Sequence, residues 1–215
     1  MVEIPTTRIC LVRHGETEWN TERRIQGHID IGLNETGLRQ AALAGRWLRD
    51  AGIAAVYGSD LTRAWVTAQT IAAALGLSPV ELPEMRERCY GIFEGLTYAE
   101  AKARYPEAYV AFEKRDPDYA YESGESLKAL FARVTGKLMA IAAAHPGQNV
   151  VVVSHGGVLD IVNRFVRGNP LETPRDFLIP NAGINWIAAV DGRWRLETWG
   201  DTTHLEAGAL DELPS

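Results

Sequence analysis

Long apolar runs are absent. None approaches the roughly 20 residues a membrane-spanning helix needs, and the N-terminal "MVEIPTTRICLV" lacks the basic start and apolar stretch of a signal peptide. Cysteine is scarce, with only Cys10 and Cys89. Two thiols are too few for a disulfide framework, so a reducing, cytoplasmic setting is expected for a soluble protein. Lys and Arg form no dense cluster and the net charge is −6, which argues against a nucleic-acid partner and leaves room for a small anion bound locally. There is no linker, low-complexity tract or long repeat, and no signal of oligomeric state.

Catalytic signatures are missing too. No G-x-x-x-x-G-K-[ST] loop is present, so a P-loop is excluded. "SHGG" carries only half of the G-x-S-x-G serine elbow. A cysteine phosphatase needs Arg six residues after Cys, but Glu16 and Gly95 occupy those places. Neither H-E-x-x-H nor H-x-H occurs, and Asp116-Pro-Asp118 lies in a charged loop, so no metal or other cofactor is expected.

The 215 residues, 46% hydrophobic and 23% charged, suit one domain of α/β class. Apolar strands are expected at "RICLVRH", "AAVYGSD" and "NVVVVSHGG". Helical patterns follow each, over 33–52 with Asn34 as N-cap and Gly52 past its end, over 61–76 capped by Ser59 or Asp60, and over 157–168. A further helix runs through 125–147, and 184–199 reads as a hairpin turning at Asp191-Gly192. The irregular stretch from Glu81 to Glu125 reads as a lobe over the sheet. A mainly parallel sheet with helices on both faces is expected.

Two strands end alike, in "LVRHGE" and "VVSHGG". In a parallel sheet the carboxyl ends of strands share one edge, where open α/β folds bind ligands. Arg13, His14, Arg63 and His155 are therefore expected in one crevice. Two guanidinium groups and two imidazoles suit a phosphate, with Gly15 and Gly156 allowing close backbone approach. With other schemes removed, histidine itself is left as the nucleophile.

"RHGETEWN", "RIQGHIDIGLNETGLRQA", "SDLTRAWVTAQTIA", "ERCYGIFEGL", "SGES" and "VSHGG" resemble, in this order, the histidine phosphatase superfamily, which includes the cofactor-dependent phosphoglycerate mutases. The resemblance spans about Arg8 to Gly157. It implies His14 as the phosphorylated nucleophile, Arg13, Arg63 and His155 as holders of phosphoryl oxygens, Asn20 beside them, and Gln26-Gly27 as a substrate-contacting turn. It implies Glu87 as proton donor, with Glu84 and Glu94 as nearby rivals. Gly32 stands where many members carry proline, which implies a looser loop after Gln26-Gly27. Tyr90 and Gly156 are candidate pocket residues. Asp60 is an alternative, surface partner for Arg63. The implied activity is metal-free hydrolysis of a small phosphorylated metabolite. The alternatives are phosphoglycerate mutation, with Lys114-Arg115 gripping the substrate carboxylate, and non-catalytic phosphate binding. The expected organisation is one domain over 1–215 with a lobe inserted at about 89–124.

Overall fold

Alternation within the first strand decides the layering. In β1 (Thr7–Arg13), Ile9 and Leu11 face one side while Cys10 and Val12 face the other, and all four are fully buried. A strand buried on both faces must be covered on both, as in a parallel α/β sheet. The computed structural model describes residues 5–205 and 209–211. The first residues of the N-terminal segment, on which the signal-peptide reading partly rests, and the last of the 1–215 domain span lie outside the described residues.

The elements after β1 are α1 (Glu18–Thr21), α2 (Glu35–Trp47), β2 (Ile53–Gly58), α3 (Thr62–Leu75), β3 (Pro79–Glu81), α4 (Tyr98–Arg104), α5 (Pro106–Glu113), α6 (Leu127–Ala144), β4 (Asn149–Ser154), α7 (Gly156–Arg167), β5 (Ile184–Val190) and β6 (Arg193–Asp201). The sheet order is β3-β2-β4-β1-β5-β6; the first four strands are parallel, and β5 and β6 run antiparallel to their neighbours. One core joins Ile9, Leu11, Val150 and Val152 to Leu138 of α6 and Leu159 of α7. The other joins Cys10, Val12, Val151 and Val153 to Ala44 of α2 and Ile71 of α3. Helices thus cover both faces of a mostly parallel sheet. Among the described residues, no helix is long and apolar enough to cross a membrane.

Local signals explain most boundaries. The Asn34 side chain accepts from the Gly37 N–H and caps α2. Asp191 and Gly192 have φ of 50° and 70°, as a type I′ turn requires. α2 stops at Trp47, before the expected Gly52. The cap of α3 also differs from expectation. Ser59 is turned towards His155, Asp60 is held by Arg86 (Nε–Oδ1 2.7 Å), and Leu61 caps without its side chain. Asp30, from a distant loop, accepts from the Thr62 N–H at 2.8 Å instead. Around α4 and α5, Phe93, Phe112 and Tyr121 form a separate small cluster with Ile25.

Candidate active site

Parallel pairing aligns Arg13 with Ser154, so the residues after them, His14 and His155, emerge side by side. Their ring centroids are 5.3 Å apart. The repeated strand ending is therefore a geometric device: one sheet edge receives two imidazoles from adjacent strands. Arg63 joins them from the first turn of α3, only 1% exposed, donating to Gly27 O (2.7 Å) and Ile29 O (3.0 Å). Arg13 donates to Ile179 O at 2.8 Å. The alternative pairing of Arg63 with Asp60 is not what forms, since Asp60 is bound to Arg86.

The loop after β1 is held tightly. His14 N–H donates to Ser154 O (2.9 Å), Gly15 N–H to Thr67 Oγ1 (3.1 Å) and Glu16 N–H to Gln40 Oε1 (2.9 Å). A Cβ on Gly15 would stand 2.4 Å from Gly37 O, so no other residue fits between this loop and α2. His14 Nδ1 lies 2.7 Å from Gly15 O. A carbonyl only accepts, so Nδ1 carries the proton and Nε2 keeps its lone pair. Burial first, then Arg63 and Arg13, push the His14 pKa well below its usual value, and burial does most of the same for His155. Both rings are neutral at physiological pH.

Hydrogen bonds also set the neighbours' polarity. Asn20 Oδ1 accepts from Thr17 N–H (3.0 Å), Thr17 Oγ1 (3.0 Å) and Asn181 Nδ2 (3.3 Å), which leaves the Asn20 NH₂ for a ligand oxygen. Ser59 Oγ receives the Leu61 N–H (3.4 Å), so its hydroxyl can donate to His155 Nε2 at 2.8 Å. His155 Nδ1 is then a protonated, buried donor with no hydrogen-bond partner among the described residues. Buried polar groups are rarely left so, and this donor is available to a ligand oxygen or an ordered water.

Of three nearby glutamates, Glu87 alone lines the cleft with Arg13, His14, Asn20, Gln26, Gly27, Arg63 and Tyr90. Its Oε1 accepts from Arg88 N–H (2.7 Å) and its Oε2 from Gly157 N–H (3.0 Å). Glu84 is exposed beside Lys137, and Glu94 is tied to the N–H groups of His28 and Tyr90. Gly156 faces a neighbouring compartment with Gly157 rather than this cleft. Lys114 and Arg115 do not act as a pair. Arg115 has φ of 53°, which parts the two side chains; it binds Asp160 in the interior while Lys114 is exposed. Among the described residues no three His, Cys, Asp or Glu side chains cluster as metal ligands would.

Four contributors, Asn181, Gly157, His28 and Arg133, had no role assigned to them from the sequence. Asn181 donates to His14 O (3.0 Å) as well as to Asn20, and reaches both only because β5 returns beside β1. Gly157 seats Glu87. His28 Nε2, 2.8 Å from Glu87 O, supports the same turn from below, together with Arg133 (2.9 Å).

Known proteins resemble this chain along most of its length. The family model described as "Histidine phosphatase superfamily (branch 1)" matches residues 9–202. Two Arabidopsis thaliana proteins, "Phosphoglycerate mutase-like protein 4" and "Metal-independent phosphoserine phosphatase", are each 41% identical. The first alignment covers 95% of this chain and 89% of that protein, the second 96% and 86%. The solved structure of Bacillus stearothermophilus YhfR superposes with a TM-score of 0.86 at 30% identity, covering 93% of this chain and all (100%) of that one.

Proposed function

The chain belongs to the histidine phosphatase superfamily, and on that premise we propose that it hydrolyses small phosphomonoesters through a phosphohistidine at His14. The observation that carries this reading is the Nε2 lone pair of a buried, neutral His14, set among Arg13, Arg63 and His155 with a carboxylic side chain in the same cleft. Nε2 attacks phosphorus in line and the ester P–O bond breaks. Arg13, Arg63, the Asn20 NH₂ and His155 Nδ1–H bind the equatorial oxygens, where charge accumulates. Glu87 gives its proton to the departing alkoxide. It then takes one from the water whose oxygen attacks phosphorus; the P–N bond breaks, phosphate leaves and Nε2 regains its pair. Fixed guanidinium charges serve the electrostatic role, so the scheme calls for no metal.

Gln26, Gly27 and Tyr90 are assigned to substrate contact, and residues 89–124 to a lobe that shapes the cleft within a single 1–215 domain. The partner is a small phosphorylated metabolite, not nucleic acid or membrane, and the setting cytoplasmic, in keeping with two free thiols.

Glu87 depends on Gly157 for its place. A Cβ there would stand 2.3 Å from Glu87 Oε1, the end of a flexible side chain that yields rather than unfolding the protein. Gly157→Ala is therefore expected to lower kcat for an alkyl phosphate by about 10²-fold, the scale of a misplaced catalytic group, with Tm unchanged. Full activity in a folded Gly157→Ala enzyme contradicts the role given to Glu87.

Hydrolysis is favoured over mutation because the lobe is short and its one adjacent basic pair is split, with Arg115 bound to Asp160 and Lys114 exposed. A mutase must hold a bisphosphorylated intermediate away from water while it turns round. Phosphate release from phosphomonoesters is expected to exceed interconversion of 3- and 2-phosphoglycerate even after priming with 2,3-bisphosphoglycerate. Faster interconversion under those conditions establishes the mutase reading instead.

A further inference from the structure

The turn that carries Glu87 hangs on side chains from other elements. It leaves a single 3₁₀ turn at Pro83–Met85, and four successive carbonyls, 84 to 87, each accept from a side chain. Met85 O takes the Ser154 hydroxyl at 2.7 Å. Glu84 O, Arg86 O and Glu87 O all take N–H groups of one residue, Arg133 of α6, at 2.8, 2.8 and 2.9 Å. Glu87 O also accepts from His28 Nε2 at 2.8 Å, so both of its lone pairs are used.

Arg133 has no donor left over. A guanidinium carries five N–H groups in a fixed planar fork. Nε and Nη2 grip the Glu125 carboxylate at 2.7 and 2.8 Å, and the remaining N–H groups meet the three carbonyls. Glu125 thus fixes one edge of the fork, and the other edge presents its donors to the turn. A plain ion pair would need only the Glu125 edge. The same charge reaches a neighbouring ring: burial first, then Arg63, His14 and Arg133, hold the His155 pKa well below its usual value.

We propose that Arg133, together with His28, is the positioning residue that aims the proton donor, acting on Glu87 through the plane of one peptide bond. This role rests on the phosphatase reading above and deepens it. Glu87 O and the Arg88 N–H belong to the same planar peptide unit. Arg133 and His28 fix its oxygen end, and its opposite end donates to Glu87 Oε1 at 2.7 Å. The plane cannot tilt without carrying that N–H, and the carboxyl group it holds, away from the leaving oxygen. Two distant side chains therefore set the aim of the acid.

The test reads single-turnover phosphorylation of His14 by p-nitrophenyl phosphate and by the fastest of three alkyl esters: glycerol 3-phosphate, 3-phosphoglycerate and phosphoserine. Arg133→Gln should slow the alkyl ester by about 10- to 100-fold, the scale of a slightly misplaced catalytic group. The nitrophenyl ester should slow far less, because its leaving group departs without a proton. Arg133→Lys keeps the charge but offers only three donors and no planar fork, so it should not restore the rate. In a Glu87→Gln background Arg133→Gln should add no further loss, since the group it aims is already gone. If the Arg133 variants do not fold, His28 decides: His28→Ala removes one donor to Glu87 O, and the amide of His28→Gln should replace it and recover the alkyl rate. An unchanged alkyl rate, or equal slowing of both esters as from a disturbed His155, overturns the positioning role alone. So does rescue by lysine, or losses that add in the double variant. Failure of every ester to phosphorylate His14 in the wild-type protein overturns the phosphatase reading, and the positioning role falls with it.

Discussion

His14→Ala should lose turnover by about 10⁵- to 10⁶-fold, the scale seen when a covalent nucleophile is removed from a site that still binds substrate. Rapid quenching of the wild-type enzyme during turnover should trap phosphate on His14 as a phosphoramidate, labile in acid and stable in alkali. The substituted protein should trap none. Phosphate recovered on another residue, or appreciable turnover by His14→Ala, rejects the mechanism. A second readout follows from protonation. In the unfolded chain both histidines titrate near 6.5, while burial and the guanidinium groups hold them neutral in the fold to well below that value. Below pH 6.5 the unfolded state binds more protons than the folded one. Stability is therefore full above about 6.5 and falls with acidification, until the folded histidines themselves protonate. Each contributes a slope of up to roughly 1.4 kcal/mol per pH unit. His14→Ala should remove the contribution of that residue, so denaturation at pH 5 and pH 7.5 should differ less than in the wild type.

Glu87→Gln should slow hydrolysis of alkyl phosphates by about 10²- to 10⁴-fold, the usual contribution of a general acid. Phosphorylation of His14 by p-nitrophenyl phosphate should slow far less, because that leaving group departs without a proton. The comparison also controls for geometry. Glu87 accepts backbone N–H groups at both oxygens, and a glutamine amide must present its NH₂ to one of those donors. Any displacement that results slows both substrates alike, so only the difference between them reports the proton. Equal losses in single-turnover phosphorylation would falsify the assignment of Glu87 as acid.

The sequence made β1 and β4 readable because a strand buried on both faces is a continuous apolar run, ended here by Arg13-His14 and Ser154-His155. It made the meeting of His14 and His155 readable because those two endings repeat. Sheet order was hidden, since pairing of β1 with β4 and β5 is a tertiary fact. β3 was missed because three half-exposed residues carry no period. The cap of α3 lay in Asp30, far from the helix it starts, and local reading could only offer Ser59 or Asp60. Lys114-Arg115 looked like a pair because sequence adjacency suggests spatial adjacency, and a left-handed residue at Arg115 breaks that link. Arg133 was passed over for the opposite reason. It stands 46 residues from Glu87, and nothing in "FARVT" tells that its guanidinium gathers the carbonyls of another turn.

The position of β1 has a cost in folding order. Arg8 pairs with Asn149 and Thr7 with Ala189, so the strand that ends in Arg13-His14 lies mid-sheet between partners made much later. As synthesis proceeds, "ICLV" waits with its edge hydrogen bonds open while α2, β2 and α3 emerge. Closure must bridge long loops before any pairing energy is returned. The interval leaves an apolar, unpaired strand exposed to other chains. The segment that carries His14 is thus a liability to aggregation in the nascent chain until β4 slots in beside it.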